Sequence, residues 1–479
     1  MRKWILSLIL VLAATAGIFA GNGYKIRVKI NGYKKDTLFL AYHYGDKQYI
    51  RDTVARGADG FFVFQGSEKL AGGVYLVVMQ PDNQFFQLLI NGEESQEITM
   101  TTDKEKPVEK AKFEGSKDNT IFYEYINFLN SRRPLADTLR AQMEKAGSDT
   151  KKKDKLQAEF DQLNEGVEAY QQKLLKENPQ TLTAAIIKAN QQLDMPEFTG
   201  DTLEVQTKRW RYTQNHYFDN LDLTDPRMLR TPFMFQRVDY FVHKLQVQHP
   251  DTIWTAIEYV LDKMHPAEET FKFYLIHYLN EYAKSNIVGM DAVYVHMVDK
   301  YYATGQAPWT EQEQLDKILE SARTLRPLLI GKKAPNIELE QRDGKHISLY
   351  DVDSEYTILY FWRYDCGVCK KSTPFMKDFY AKFKDKGVKI FAVCVKFTDE
   401  VPKCWEYVDE NGIQDWLHCV DPYNMSRFTS TYDTRSTPLI FVLDRNKEIL
   451  SKRIAAEQLE EVMDRIIEMK KQEKGGGSK

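Results

Sequence analysis

The stretch "YDCGVCKKSTP", residues 364–374, holds two cysteines with two residues between them, and "STPLIFVLD", residues 436–444, sets a Thr-Pro pair directly before a strand-like run. Apolar runs and helical patterns alternate around both. "YTILYFW" (356–362) leads into Cys366 and Cys369, and an amphipathic segment follows to about Lys386. "VKIFAVCV", "EVPKCWEYVDEN" and "WLHCV" then read as strand, helix and strand. "TPLIFVLD" and "EILSKRI" flank the turn Arg445-Asn446-Lys447 as a hairpin, and Leu459, Val462, Ile466 and Met469 mark one side of a last helix. This alternation predicts an α/β domain with a mixed sheet over residues 329–474.

A Cys-x-x-Cys pair is a redox couple, half of a metal site, or coincidence. Position favours the first. Cys366 lies where a strand gives way to a helix, and backbone N–H groups at a helix start favour thiolate over thiol. Cys369, one turn later, can resolve a mixed disulfide. Pro374 falls five residues after Cys369, where a kink is expected. Zinc needs a second ligand pair, and Cys394, Cys404, His418 and Cys419 lack a compact spacing, so no metal is expected. Cys394 sits in a predicted buried strand and reads as core. Cys404 and Cys419 form a structural bridge or stay free, with no catalytic role for either.

Taken in order, "IGKKAPNIEL", "FWRYDCGVCKKSTP", the insertion between Val388 and Pro422, and "STPLIFVLD" resemble the thioredoxin fold. Within it they are more similar to the exported cytochrome-maturation thioredoxins of bacteria. The resemblance covers about residues 329–472. It implies a thiol–disulfide oxidoreductase with Cys366 and Cys369 as catalytic residues and Thr437 and Pro438 as the substrate-binding pair. Pro438 is then a cis-proline that discourages metal binding and presents backbone to an extended substrate strand. The implied substrate is a disulfide-containing protein, the implied electron source a membrane thiol donor, and no cofactor is expected. The resemblance favours a reductase; oxidase or isomerase action stays open.

Two positions depart from the family pattern. Asp365 stands where Trp is usual, and a carboxylate there is expected to raise the Cys366 pKa, offset in part by Lys370 and Lys371. Tyr360 stands where thioredoxin carries a buried acid, which leaves the general base unassigned.

The rest of the chain frames this domain. Arg2 and Lys3, the apolar run Ile5–Ala14 and the small residues ending at Ala20 predict a signal peptide over 1–20, hence an exported protein of the periplasm or cell envelope. All five cysteines lie in the last quarter, so this is no disulfide scaffold. Net charge near −3 gives no pull toward nucleic acid. Residues 21–115 hold β-branched and aromatic runs ("YKIRVKI", "TLFLAYH", "FFVF", "VYLVVMQ", "FFQLLI") separated by Asn31-Gly32, Asp59-Gly60, Gly72-Gly73, Pro81-Asp82 and Asn91-Gly92. They predict an antiparallel β-sandwich or small barrel.

From 116 to 328 the period is helical, with Asp118 or Asn119 as the opening cap and Lys151–Lys153 as a solvated turn. Leu156, Phe160, Leu163, Val167, Tyr170 and Leu174 form a short heptad seam that predicts an antiparallel hairpin rather than a dimer. The chain as a whole resembles exported thioredoxin-like proteins of Bacteroidota-type bacteria. Residues 475–479 read as a flexible tail. The rival reading is an exported partner- or glycan-binding protein whose thioredoxin-like domain is not catalytic.

Overall fold

The computed structural model describes residues 23–476. The leader expected over 1–20 lies outside them, and the expected tail overlaps the end of the last helix before it too leaves the described residues. The chain forms two compact units. One runs from residue 23 to Leu245 and takes in Asp262–Phe271; the other comprises Gln246–Leu261 and the chain from Lys272 onward.

The first unit opens with eight strands: β1 (Tyr24–Asn31), β2 (Thr37–Tyr44), β3 (Lys47–Ala55), β4 (Phe62–Gly66), β5 (Gly73–Met79), β6 (Gln84–Ile90), β7 (Glu97–Asp103) and β8 (Lys112–Glu114). They make two four-stranded sheets, ordered β4-β1-β7-β8 and β3-β2-β5-β6. All pairs are antiparallel except β1 with β7, which run parallel. In β1, Ile26, Val28 and Ile30 are buried while their neighbours are not, the period of a half-buried strand. The edge strand β3 has no buried residue.

Helix α1 (Lys117–Lys145) is capped by Ser116, whose hydroxyl accepts from the Asn119 N–H at 3.2 Å. The expected caps Asp118 and Asn119 are instead buried and point elsewhere. Asp118 accepts from the Leu182 and Thr183 N–H groups at 2.6 and 3.0 Å, which satisfies the start of α3 (Leu182–Ala189). Asn119 bonds the Leu89 backbone in β6. Helix α2 (Thr150–Glu177) folds back on α1: Tyr170 near its end stacks on Tyr125 near the start of α1, and Arg140 covers Phe160. The heptad seam is therefore an antiparallel hairpin. Lys151–Lys153 are not a turn; they form the exposed first turn of α2, after the cap Asp149.

Further helices are α4 (Thr202–His216), α5 (Met234–His243), α6 (Pro250–Met264), α7 (Glu268–Ala283), α8 (Asp291–Met297) and α9 (Gln312–Leu325). No described helix is long and apolar enough to cross a membrane.

The second unit carries the α/β region. A small ladder, β9 (Glu338–Glu340) with β10 (His346–Ser348), precedes a five-stranded sheet. The sheet is built from β11 (Tyr356–Trp362), β12 (Val388–Cys394), β13 (Leu417–Cys419), β14 (Leu439–Asp444) and β15 (Ile449–Lys452). The order is β13-β12-β11-β14-β15, with β11, β12 and β13 parallel and β14 and β15 antiparallel to them. This is the mixed sheet of a thioredoxin-like domain. Every residue of β11 is buried, because both faces are covered. One face packs on α10 (Gly367–Phe383), α11 (Val401–Asn411) and α13 (Leu459–Gly476). The other packs on α12 (Phe428–Thr431) and the segment Leu328–Val352. Helix α10 continues through Pro374. Met469, expected on the buried side of α13, is exposed. Within this unit the buried Lys452 ammonium is held by Asp291 of α8 and the Leu328 carbonyl.

Candidate active site

Cys366 is the N-cap of α10, with extended backbone (φ −85°, ψ 116°). Its sulfur accepts from the Cys369 N–H at 3.1 Å, so it takes one of the donors a helix start leaves unpaired. Cys366 is half-buried and Cys369, one turn inside, is 1% exposed. Both are free thiols. Opposite them Thr437–Pro438 is a cis peptide, and the Cys366 thiol donates to the Thr437 carbonyl at 3.3 Å. Two segments 71 residues apart in sequence thus meet at one sulfur.

The two thiols titrate in opposite senses. Burial opposes ionisation of Cys366, yet hydrogen bonds from Cys369, the Thr437 side chain and the Val368 backbone outweigh it and hold the pKa below the ordinary thiol value. Burial, and then the bond to Cys366, push Cys369 up to about 12. One cysteine is poised to ionise and accessible; the other is shielded and protonated. Tyr360 is fully buried on β11, with its hydroxyl unpartnered among the described residues. Burial, with the nearby cysteines adding to it, pushes its pKa up, so it supplies no base in the neutral range.

Residues 330–452 match the AhpC/TSA family; residues 24–122 and 146–324 match two domains of unknown function, DUF4369 and DUF5106. The thiol-disulfide oxidoreductase ResA of Bacillus anthracis is 31% identical over 135 residues, 28% of this chain and 75% of the relative. The chain belongs to the ResA family of thiol-disulfide oxidoreductases. The ResA of Bacillus subtilis is 45% identical over 65 residues, 14% of this chain and 36% of its own. Among solved structures, a domain of a possible thiol-disulfide isomerase from Cytophaga hutchinsonii is 38% identical, covering 30% of this chain and 98% of that one at a TM-score of 0.29. A thioredoxin-like protein from Bacteroides caccae is 19% identical, covering 57% and 98% at a TM-score of 0.44.

Around this pair the structure adds to one expectation and corrects another. The first concerns Asp365. Its carboxylate lies 2.9 Å from the Lys396 ammonium and 3.2 Å from Arg363 Nε. Partial burial works against ionisation, but these two cations hold the carboxyl below its usual range. Lys396, 11% exposed, also pairs with Glu400 at 2.8 Å, and Glu400 accepts from the Tyr364 hydroxyl at 2.9 Å. The residues just before the redox pair are therefore clamped by the segment after β12. The charge of Asp365 is countered where it stands, and the net shift of Cys366 is downward because of the hydrogen bonds named above. Lys370, expected beside Asp365 as a tuning residue, is exposed, and its backbone N–H donates to the Cys366 carbonyl at 3.0 Å.

The second concerns the other cysteines. Cys394 is bonded to Cys404, with their Cα atoms 6.4 Å apart. Cys419 is a free, buried thiol that burial pushes up to about 12. On β13, Cys419 pairs with Val393, one residue out of step with Cys394, so its side chain leaves the opposite face of the sheet. Cys394 and Cys404 share one core; Cys419 lies in the other.

Lys396 was missed by sequence reasoning, and its role gives a direct prediction. Lys396→Met leaves Asp365 and Glu400 without their shared cation, so the Cys366 pKa rises. Asp365→Asn removes the negative charge adjacent in sequence to Cys366 and lowers that pKa. Partly exposed charges at this range are worth roughly 1 kcal/mol or less, which makes each change a few tenths to about one pKa unit. Thiolate absorbance against pH, each variant carrying Cys369→Ala, reads both. A Lys396→Met protein with the parent pKa refutes the clamp.

Proposed function

We propose that this protein is an exported reductase of protein disulfides, with Cys366 as attacking thiolate, Cys369 as resolving thiol, and Thr437–Pro438 as the backbone rail for an extended substrate. The observation that carries it is the asymmetry of the pair: an accessible thiol with lowered pKa at a helix N-cap, and a buried one held protonated behind it.

The Cys366 thiolate attacks one sulfur of the substrate disulfide. A Cys366–substrate bond forms, the substrate bond breaks, and the departing sulfur leaves as a thiolate that takes a proton from solvent. Cys366 is then neutral, which removes the negative charge that helps hold Cys369 protonated. Cys369 loses its proton and attacks Cys366 Sγ. The Cys366–Cys369 disulfide forms and the second substrate sulfur is released. Two electrons have passed to the substrate, and a membrane thiol donor restores the pair.

The leader over 1–20 supplies the export signal in this reading, and Asp365 and Lys370, with Lys396, tune the thiolate. We further propose a three-part layout: a β-sandwich domain over 21–115, a helical domain over 116–328, and the redox domain over 329–474.

The test is insulin-disulfide reduction by the full chain with dithiothreitol as electron source, together with the potential of the pair. Turnover above the dithiothreitol background, and a potential below about −200 mV, support a reductase. A potential near −120 mV assigns the opposite direction. No turnover rejects the enzyme reading of the site.

A further inference from the structure

We propose that the cleft beside Cys366 selects disulfides flanked by acidic residues, and that Lys371 and Arg435 determine that preference. The inference rests on the reading of Cys366 as the attacking thiol and goes beyond it to the class of substrate.

The cleft is open, has a volume of about 540 Å³, and includes Cys366 in its lining. One wall is the first turns of α10. Gly367, Val368 and Lys371 all line it, as residues three and four apart on one helix face should. The other wall is the segment Arg435–Thr437, just before the cis-proline. Lys371 thus comes from the helix that Cys366 caps and Arg435 from the segment whose Thr437 carbonyl accepts from the Cys366 thiol, with Arg363 also in the lining.

The lining holds three cations and one carboxylate, Asp365. That carboxylate is already engaged by Lys396 behind the cleft and by Arg363. Lys371 has no ion-pair partner among the described residues, and its side chain is exposed. Arg435 is held at two points by Asp433, through Nε and through Nη2 at 3.0 Å, yet its side chain is 86% exposed, and Asp433 is shared with Arg453 at 3.6 Å. Counting the groups that face these residues, the cations Arg363, Lys371, Lys396, Arg435 and Arg453 outnumber Asp365, Asp433, Glu320 and Glu400. The N-terminal end of α10 adds partial positive charge at the same place.

A disulfide brought to Cys366 in an extended chain sets its neighbouring side chains against Lys371 on one wall and Arg435 on the other. Aspartate or glutamate there meets the unpaired Lys371 and the exposed outer edge of Arg435; lysine or arginine there meets like charge. Such a field acts mainly on encounter and orientation, and salt screens it.

The experiment uses the full chain and three peptides, each with one intramolecular disulfide, identical but for Glu, Gln or Lys on both sides of it. At low ionic strength kcat/KM is expected to be roughly tenfold or more higher for the Glu than for the Lys peptide, with Gln between, and the gap to close at high salt. Charge reversal at both positions, Lys371→Glu with Arg435→Glu, inverts the order. Equal rates on all three peptides, or an unchanged order in the reversed variant, overturn the inference while leaving the redox reading in place. No reduction of the Gln peptide overturns the redox reading, and this inference with it.

Discussion

Cys366→Ser is expected to abolish disulfide exchange, by a factor on the order of 10³ or more, while Cys369→Ser is expected to accumulate substrate as covalent adducts. The two outcomes differ because the sulfurs occupy different environments. Cys366 caps α10 and accepts the Cys369 N–H, so its thiolate is stabilised and it faces the cleft. A hydroxyl there cannot ionise near neutral pH and makes no bond to substrate sulfur. Cys369 is buried, and burial pushes its thiol up to about 12, so it cannot make the first attack on a protein in solution. Its part is to attack Cys366 Sγ once the mixed disulfide has formed. With serine at 369 that step is lost and the mixed disulfide persists. Non-reducing gels of each variant, made in cells and trapped with acid, read the result. Adducts on Cys366→Ser, and none on Cys369→Ser, would reverse the two roles.

The fold was legible wherever the chain repeats a single environment along an element. The alternation of "YKIRVKI" marks β1 because one of its faces is buried. "YTILYFW" marks β11 because both faces are. Strand β3, "KQYIRDTVA", carried no such mark: it is an edge strand with no residue in the core, so nothing selects its apolar positions. The cap of α1 was misplaced by two or three residues because Asp118 serves another helix and Asn119 bonds β6, uses that only the packing around α1 creates.

The redox pair and the Thr-Pro pair were legible because they are local. Their surroundings were not. Lys396 reaches Asp365 because β11 and β12 pair in parallel with Trp362 opposite Cys394, which brings the residues after each strand together. That register cannot be read from either segment alone. The choice of Cys404 over Cys419 as the partner of Cys394 likewise depends on which face of the sheet each sulfur leaves.

Cys394→Ala with Cys404→Ala is expected to lower stability by about 2–3 kcal/mol, and to raise the Cys366 pKa although neither residue belongs to the redox pair. The first effect follows from chain entropy: the bridge joins residues 10 apart, and freeing a loop of that length in the unfolded chain is worth roughly that much. Both sulfurs are also buried, so their loss leaves space in the core beside α11. The second effect follows from what the bridge encloses. Lys396 and Glu400 lie between its ends, and they hold Asp365 and Tyr364, the residues just before Cys366. With the segment tethered at one end only, Lys396 spends less time on Asp365, and the uncovered carboxylate disfavours the thiolate. Urea unfolding measures the first effect. Thiolate titration with Cys369→Ala in the background measures the second, and adding Asp365→Asn identifies its cause, since the rise should vanish once the carboxylate is gone. A rise that survives Asp365→Asn would assign it to distortion of the α10 start. No rise at all would mean the clamp holds without the bridge, and the Cys394–Cys404 disulfide is then a stability element alone.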